Sequence, residues 1–285
     1  MGSRLLGRPG KGNGLCADPS VLRRKPESSR GRSALAVHPA SAGKWAAVAL
    51  RELACLESNM LDNKAASHFV TSGALLFKAA MANQMDQVLT AISEIPRGQA
   101  GVRLWRIPAL EPVLARNGSL GSIAEQILGS CARPVRAILF DKSTEANWSL
   151  GWHQDRTICV KQRQEAPGFG PWTVKNGMIH VAPPFEPLAR MVTLRAHIDD
   201  VPATNAPLVI APGSHRFGRV AIDQIDELVA KCGQVVCLAS AGDVWAYATP
   251  ILHASDVASA PMSRRVLQVD YAADNLPYGL EWLGV

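Results

Sequence analysis

The sequence predicts a mainly β protein with flanking helices, folded as a double-stranded β-helix, or jelly roll. Before residue 131, apolar residues recur at helical spacing. After residue 135, apolar residues instead form short runs of strand length, which Gly, Pro, Asn and Asp separate. A helical first part followed by seven or eight short strands is typical of a helix-flanked jelly roll.

Helices are predicted in the first part of the chain, over residues 43–58, 81–95 and 120–131. Pro96 ends the second of these helices. The apolar run at residues 73–77 follows a Ser-Gly pair and predicts a strand between the first two helices.

The second part of the chain alternates strands with turns. A short helix is predicted over residues 223–232, and the Gly- and Pro-rich residues 161–190 are predicted to form one long connection. A loop of that length in a compact domain is usually functional. The predicted strands are 135–140, 148–160, 191–198, 206–210, 235–238, 243–247 and 264–271.

The charge of the chain is concentrated at its start. Residues 1–45 hold nine of the 30 Lys and Arg residues but only two of the 24 Asp and Glu residues. Because the start also lacks a hydrophobic period, we expect residues 1–42 to be a disordered basic leader and residues 43–285 to form a single domain. The near-neutral domain argues against nucleic acid as a partner.

The cysteines and the hydropathy pattern bound the location of the protein. The six cysteines include no Cys-x-x-Cys pair, which favours free thiols in a reducing compartment. No apolar stretch reaches the length of a membrane span, and the start has no signal-peptide core. We therefore expect a cytoplasmic protein without a membrane partner.

One short motif suggests metal chemistry. His153 and Asp155 stand two apart in a predicted strand, so their side chains project from the same face. His253 is the natural third ligand, since two His and one carboxylate form the facial triad of non-heme Fe(II) oxygenases. A lone His-x-Asp triplet is more often a surface turn or a satisfied polar pair, so further segments must support the assignment.

Five segments in order supply that support, namely residues 152–155, 205–215, 241–243, 253–255 and 264–271. From about residue 68 to its end the chain resembles the phytanoyl-CoA dioxygenase family of Fe(II)/2-oxoglutarate oxygenases, which have a cupin-like jelly roll. The resemblance implies a dioxygenase that uses Fe(II), 2-oxoglutarate and O₂ to hydroxylate an unactivated C–H of a small-molecule substrate, with release of succinate and CO₂.

The resemblance also implies roles for single residues. His153, Asp155 and His253 would be the catalytic metal ligands, and Arg264 would bind the far carboxylate of 2-oxoglutarate through its planar fork. Arg265 points to the opposite face of the same predicted strand, so a register error of one residue would exchange the two arginines.

Four further residues are candidates for binding the co-substrate or the substrate. Ser255 and Gln154 match cofactor-binding positions, although the Gln154 side chain should point away from its flanking ligands on a regular strand. Arg195 lies on a strand that faces the co-substrate in the family and is a candidate for binding an anionic substrate group. Trp172, in the connection 161–190, would either close over substrate or pack the connection onto the barrel.

Two alternatives remain beside this interpretation. A metal-dependent jelly-roll enzyme that does not use 2-oxoglutarate would have no need of Arg264 and Ser255. A non-catalytic binding module on the same fold would have no need of a three-ligand set. The unusual length of residues 161–190 argues against transferring the family's namesake substrate to this chain.

Overall fold

The computed structural model describes residues 61–285. Its α-helices are α1 (Asn63–Ser72), α2 (Met85–Ala91), α3 (Glu111–Leu114), α4 (Ser119–Leu128), α5 (Phe185–Ala189) and α6 (Ile225–Cys232). Its strands are β1 (Ala74–Phe77), β2 (Val102–Leu104), β3 (Arg133–Lys142), β4 (Leu150–His153), β5 (Ile158–Val160), β6 (Trp172–Lys175), β7 (Met178–Val181), β8 (Met191–His197), β9 (Leu208–Ile210), β10 (Val235–Cys237), β11 (Val244–Ala248), β12 (His253–Ser255) and β13 (Arg264–Ala272).

The strands form three antiparallel sheets. The largest has the order β1-β11-β8-β13-β3-β2, the second has the order β10-β9-β12-β4, and the third is β5-β7-β6. The mainly β architecture with flanking helices that the sequence predicts is therefore confirmed. No helix in residues 61–285 is long and apolar enough to cross a membrane.

The six-stranded sheet has one apolar and one polar face, because its side chains alternate with period two. Leu194 of β8 and Leu267 of β13 belong to the main core cluster, which packs against α2 and α4. Residues on the other face are also buried but polar, and they include Arg195, Gln268 and Asp270. A buried polar face is costly unless it is paired or functional, so it directs attention to the space it encloses.

The four-stranded sheet covers that polar face. Tyr247 of the large sheet packs with Leu208 and Ile210 of the four-stranded sheet in a shared apolar cluster. Lys142 and Arg264 reach across to Ser255 and Ala206, so polar side chains also join the two sheets. The space between the sheets is thus the interior of the barrel.

The connection 161–190 differs from its prediction as a long loop. It contains the hairpin β6–β7 and the short helix α5. Lys175 pairs with Met178, and Asn176 and Gly177 between them have φ of 50° and 75°. Two residues with positive φ are what a type I′ turn requires, and Asn-Gly is its preferred sequence. The prediction of an unstructured connection was wrong, because it was based on the Gly and Pro content of residues 161–190 and did not take the turn signal of Asn176-Gly177 into account.

Other elements differ in smaller ways. The predicted strand 148–160 is divided into β4 and β5, and the predicted helix 81–95 is reduced to a 3₁₀ turn and α2. Helix α1 and strand β2 were not predicted. The predicted helix 43–58 lies outside the described residues.

Candidate metal centre

The three predicted ligands come together at the adjoining ends of β4 and β12. His153 ends β4 and His253 begins β12, and these two residues are direct cross-strand partners. Their ring centroids lie 4.2 Å apart. Asp155 follows two residues after His153, and the ligand atoms of all three residues lie within 4.8 Å of one another. Strand pairing therefore brings together ligands that are 100 residues apart in the chain.

Backbone contacts determine the tautomer of both imidazoles. The Nδ1 atom of His153 lies 2.7 Å from the carbonyl oxygen of Gly151, and Nδ1 of His253 lies 3.0 Å from that of Ile251. A carbonyl only accepts hydrogen bonds, so in each ring Nδ1 carries the hydrogen. Nε2 then presents its lone pair, which is the arrangement typical of metal-bound histidine. Burial lowers the pKa of His253 to about 4, which favours this neutral form.

A buried arginine supports the carboxylate ligand. The guanidinium of Arg136 lies 3.8 Å from Asp155 Oδ2 and donates to Asp270 at 2.5 Å. It also donates to the carbonyl of Thr157 at 3.1 Å. Burial alone would raise the pKa of Asp155, but the charge of Arg136 holds it below its ordinary value. Asp155 is therefore ionised and held beside the two histidines.

The donor set fits a divalent transition metal. Two imidazoles and one carboxylate on one side of a site suit Fe(II) and leave positions open for other ligands. Asp155 Oδ2 is buried and lies 3.8 Å from Arg136, but it accepts no hydrogen bond from the described residues, so its lone pairs are available to a cation.

Gln154 supports the three ligands through hydrogen bonds between its side chain and the backbone. Its amide nitrogen donates to the carbonyls of Gly218 and Pro250 at 2.9 and 2.8 Å, and its oxygen accepts from the Val220 amide at 2.9 Å. Both donors of the amide are thus used on the backbone, so Gln154 anchors the chain between His153 and Asp155.

The candidate co-substrate residues lie deeper between the sheets. Arg264 is 3% exposed and donates through Nη1 to the carbonyl of Ala206. Ser255 donates to the same carbonyl and accepts from Lys142 Nζ, both at 3.1 Å. Ser255 and Arg264 therefore share a backbone acceptor, which places them side by side.

Arg265 faces the other way. It makes two side-chain hydrogen bonds to Asp199, at 2.9 and 2.6 Å. This pair is partly exposed and lies on the face of β13 opposite to Arg264. The two arginines therefore point to opposite faces of β13, with Arg264 between the sheets.

The two candidate substrate residues occupy different places. Arg195 lies between the sheets and donates to Gln268 Oε1 at 2.8 Å. Trp172 is half-buried and packs against the apolar cluster of Phe169 and Val181, below Arg163 at 5.7 Å. Its indole Nε1 is buried without a hydrogen-bond partner among the described residues.

Sequence reasoning missed several polar residues of the interior. Arg136 and Lys142 lie in an apolar strand segment, and Asp270 interrupts another. A charge within a buried strand indicates a buried partner or a function. That signal was present, but the pairing of Arg136 with Asp270 was not, since 134 residues separate them.

Comparison with known proteins gives the same picture. A family model described as phytanoyl-CoA dioxygenase matches residues 69–266. A search of curated proteins found no match.

Several solved structures share the fold. EctD from S. alaskensis, solved with bound Fe, has a TM-score of 0.56 and 17% identity over 81% of this chain and 83% of its own. SnoN from nogalamycin biosynthesis, a non-heme alpha-ketoglutarate-dependent epimerase, has a TM-score of 0.53 and 15% identity over 76% of this chain and 89% of its own. HygX from Streptomyces hygroscopicus, solved with nickel and 2-oxoglutarate bound, has a TM-score of 0.51 and 14% identity over 74% of this chain and 87% of its own. These likenesses confirm the jelly-roll fold.

Proposed function

Because the chain belongs to the phytanoyl-CoA dioxygenase family, we propose that it is an Fe(II)- and 2-oxoglutarate-dependent oxygenase acting on a small molecule. The observation that carries the proposal is the convergence of His153, Asp155 and His253, whose candidate ligand atoms lie within 4.8 Å of one another while Nδ1 of each histidine is bonded to a backbone carbonyl. A barrel used only for binding would have no need of this set.

We assign a separate role to each group of residues in the site. His153, Asp155 and His253 hold the iron, and Arg136 keeps the Asp155 carboxylate ionised and oriented. Arg264 binds the far carboxylate of 2-oxoglutarate, with Ser255 beside it. When bound, iron and 2-oxoglutarate supply the oxidising chemistry, in which O₂ is consumed and the co-substrate becomes succinate and CO₂.

The buried cation argues for 2-oxoglutarate over an enzyme that needs no keto acid. Arg264 makes no ion pair within residues 61–285, and an unpaired buried charge costs several kcal/mol. A dicarboxylate co-substrate would supply the missing anion. This favours the oxygenase over the two alternatives that the sequence left open.

We propose hydroxylation as the reaction and the cytoplasm as the location. The similar folds include a protein described as an epimerase, so the outcome needs its own measurement. The free thiols of Cys131, Cys159, Cys232 and Cys237 support a reducing compartment.

The test begins with anaerobic protein loaded with Fe(II) and 2-oxoglutarate, then exposed to ¹⁸O₂ with a library of small metabolites. A substrate is identified by stimulated succinate release, and hydroxylation by one ¹⁸O atom in the product. A stereochemical change without label would contradict hydroxylation, and binding of Fe(II) without any 2-oxoglutarate turnover would contradict the oxygenase.

The ligand set is tested separately. We expect His153→Ala, Asp155→Ala and His253→Ala each to abolish turnover and to weaken Fe(II) binding, while circular dichroism shows an intact fold. Ser259→Ala, a change at an exposed serine, is the control. Full activity in any one variant would remove that residue from the ligand set.

A further inference from the structure

A group of buried cations lies between the sheets without matching anions. Lys142, Arg195 and Arg264 are 2%, 6% and 3% exposed. None of the three forms an ion pair with a carboxylate of residues 61–285, whereas Arg136 is paired with Asp270. Unpaired buried charge is strongly unfavourable, so this group is arranged for an anion.

The strand register places Arg195 on the path between the metal centre and Arg264. Asp270, Gln268 and Arg264 follow each other on the inner face of β13, and Arg195 pairs with Gln268. With about 3.4 Å per residue, Arg195 stands roughly 7 Å beyond Asp270 and roughly 14 Å before Arg264 along the strand. Two long guanidinium side chains can close that second distance from its two ends.

Side-chain contacts keep Arg195 inside the barrel. Its Nη1 donates to Gln268 Oε1 at 2.8 Å, and its guanidinium lies 5.2 Å from the ring centroid of Phe140. Gln268 Oε1 also lies 3.4 Å from the hydroxyl of Tyr247, whose ring is 5.7 Å from that of His253. Arg195 therefore belongs to the layer directly behind the metal ligands.

Several nitrogens at this depth still have hydrogen-bonding capacity. Nε of Arg195, Nε of Arg264, Nδ2 of Asn205 and both ring nitrogens of His197 are buried without a partner among the described residues. Burial and the charges of Arg195 and Arg264 lower the pKa of His197 to about 3. The orphan N–H donors of Arg195, Arg264 and Asn205 indicate a binding site for an anion.

We propose that Arg195 is a second binding residue for the distal carboxylate of 2-oxoglutarate and acts together with Arg264. The inference rests on the proposed function and extends it, because one carboxylate would be held between two guanidinium groups from different strands. It replaces the anionic-substrate role suggested for Arg195 by the sequence.

Isothermal titration with two keto acids tests whether Arg195 binds the distal carboxylate. The protein is loaded anaerobically with Mn(II), and 2-oxoglutarate is compared with 2-oxobutanoate, which lacks the distal carboxylate. We expect Arg195→Met to weaken 2-oxoglutarate binding about tenfold or more, as for loss of a charge-assisted contact. Its affinity for 2-oxobutanoate should stay within about twofold of the wild-type value, since that ligand offers Arg195 nothing to bind.

Two variants serve as controls. Arg265→Met removes the same charge on the opposite face of β13 and should change neither affinity. Arg195→Lys keeps the charge without the fork and should retain part of the preference for 2-oxoglutarate, which guards against misfolding of the methionine variant.

Three other outcomes would contradict the inference. Equal weakening of both keto acids would place Arg195 at the metal-side carboxylate and overturn the inference, as would unchanged binding of both. If the wild-type protein binds neither keto acid, the proposed function fails, and this inference fails with it.

Discussion

At the scale of single residues, adjacent arginines on β13 have opposite environments. Arg264 is buried between the sheets, and Arg265 is bonded to Asp199 on the other face. We expect Arg264→Ala to raise the KM for 2-oxoglutarate by a factor equivalent to about 2–4 kcal/mol, whereas Arg265→Ala leaves it nearly unchanged. Steady-state kinetics with varied co-substrate measures both. A larger effect of Arg265→Ala would exclude Arg264 as the carboxylate anchor.

Arg136 does not ligate the metal, but its charge keeps the ligand Asp155 ionised. Removing one partner of a buried ion pair costs about 3–5 kcal/mol, because the other charge is left unpaired. We expect Arg136→Met to lower the free energy of unfolding by about that amount and to weaken Mn(II) binding about tenfold. Urea unfolding and isothermal titration measure the two effects.

Asp270 provides the control for Arg136. In Arg136→Met the buried Asp270 carboxylate has lost its partner, and Asp270→Asn removes this unpaired charge. The double variant Arg136→Met/Asp270→Asn should therefore recover part of the stability but not the metal affinity. Recovery of both quantities would show that Arg136 acts only on the core and not on Asp155.

At the scale of secondary structure, the hairpin β6–β7 determines the role of Trp172. The side chain packs on the cluster of Phe169 and Val181, which accounts for its apolar area. We expect Trp172→Ala to lower the free energy of unfolding by about 2 kcal/mol while the ratio of succinate to oxidised product stays constant. Val174→Ala, an exposed change on the same strand, should alter neither quantity. A raised ratio with unchanged stability would instead make Trp172 part of a lid.

The elements differ in how well sequence could predict them. Strands β13 and β8 carry apolar residues at alternate positions over nine and seven residues, so their existence and approximate bounds followed from pattern alone. Helix α5 has five residues with Pro187 among them, too short for any period to appear. The triad could be predicted because the ligand types are specific, whereas the partners of Arg136 depend on a register that only the assembled sheet defines.

At the scale of the whole molecule, we propose that residues 43–285 form one domain, and that neither residues 1–42 nor residues 43–59 at its start are needed for its stability. A protein that begins at Met60 should match the full chain in melting temperature and Mn(II) affinity, as judged by calorimetry and titration. Asp62 caps helix α1 by accepting from the Ala65 amide at 2.6 Å. A version that begins at Lys64 should therefore be less stable by about 1 kcal/mol. Precipitation of the Met60 version alone would show that upstream residues belong to the fold.

The unpaired cations inside the barrel also bear on how the protein should be handled at the bench. Phosphate, citrate and sulfate carry several negative charges and would compete for Lys142, Arg195 and Arg264. Purification, crystallisation and assays in such salts would therefore hide part of the affinity for 2-oxoglutarate. Neutral zwitterionic buffers with chloride as the counter-ion are the appropriate choice, and a melting temperature that rises with citrate more in the wild-type protein than in the Arg264→Ala variant would be the simplest early sign that these cations bind anions.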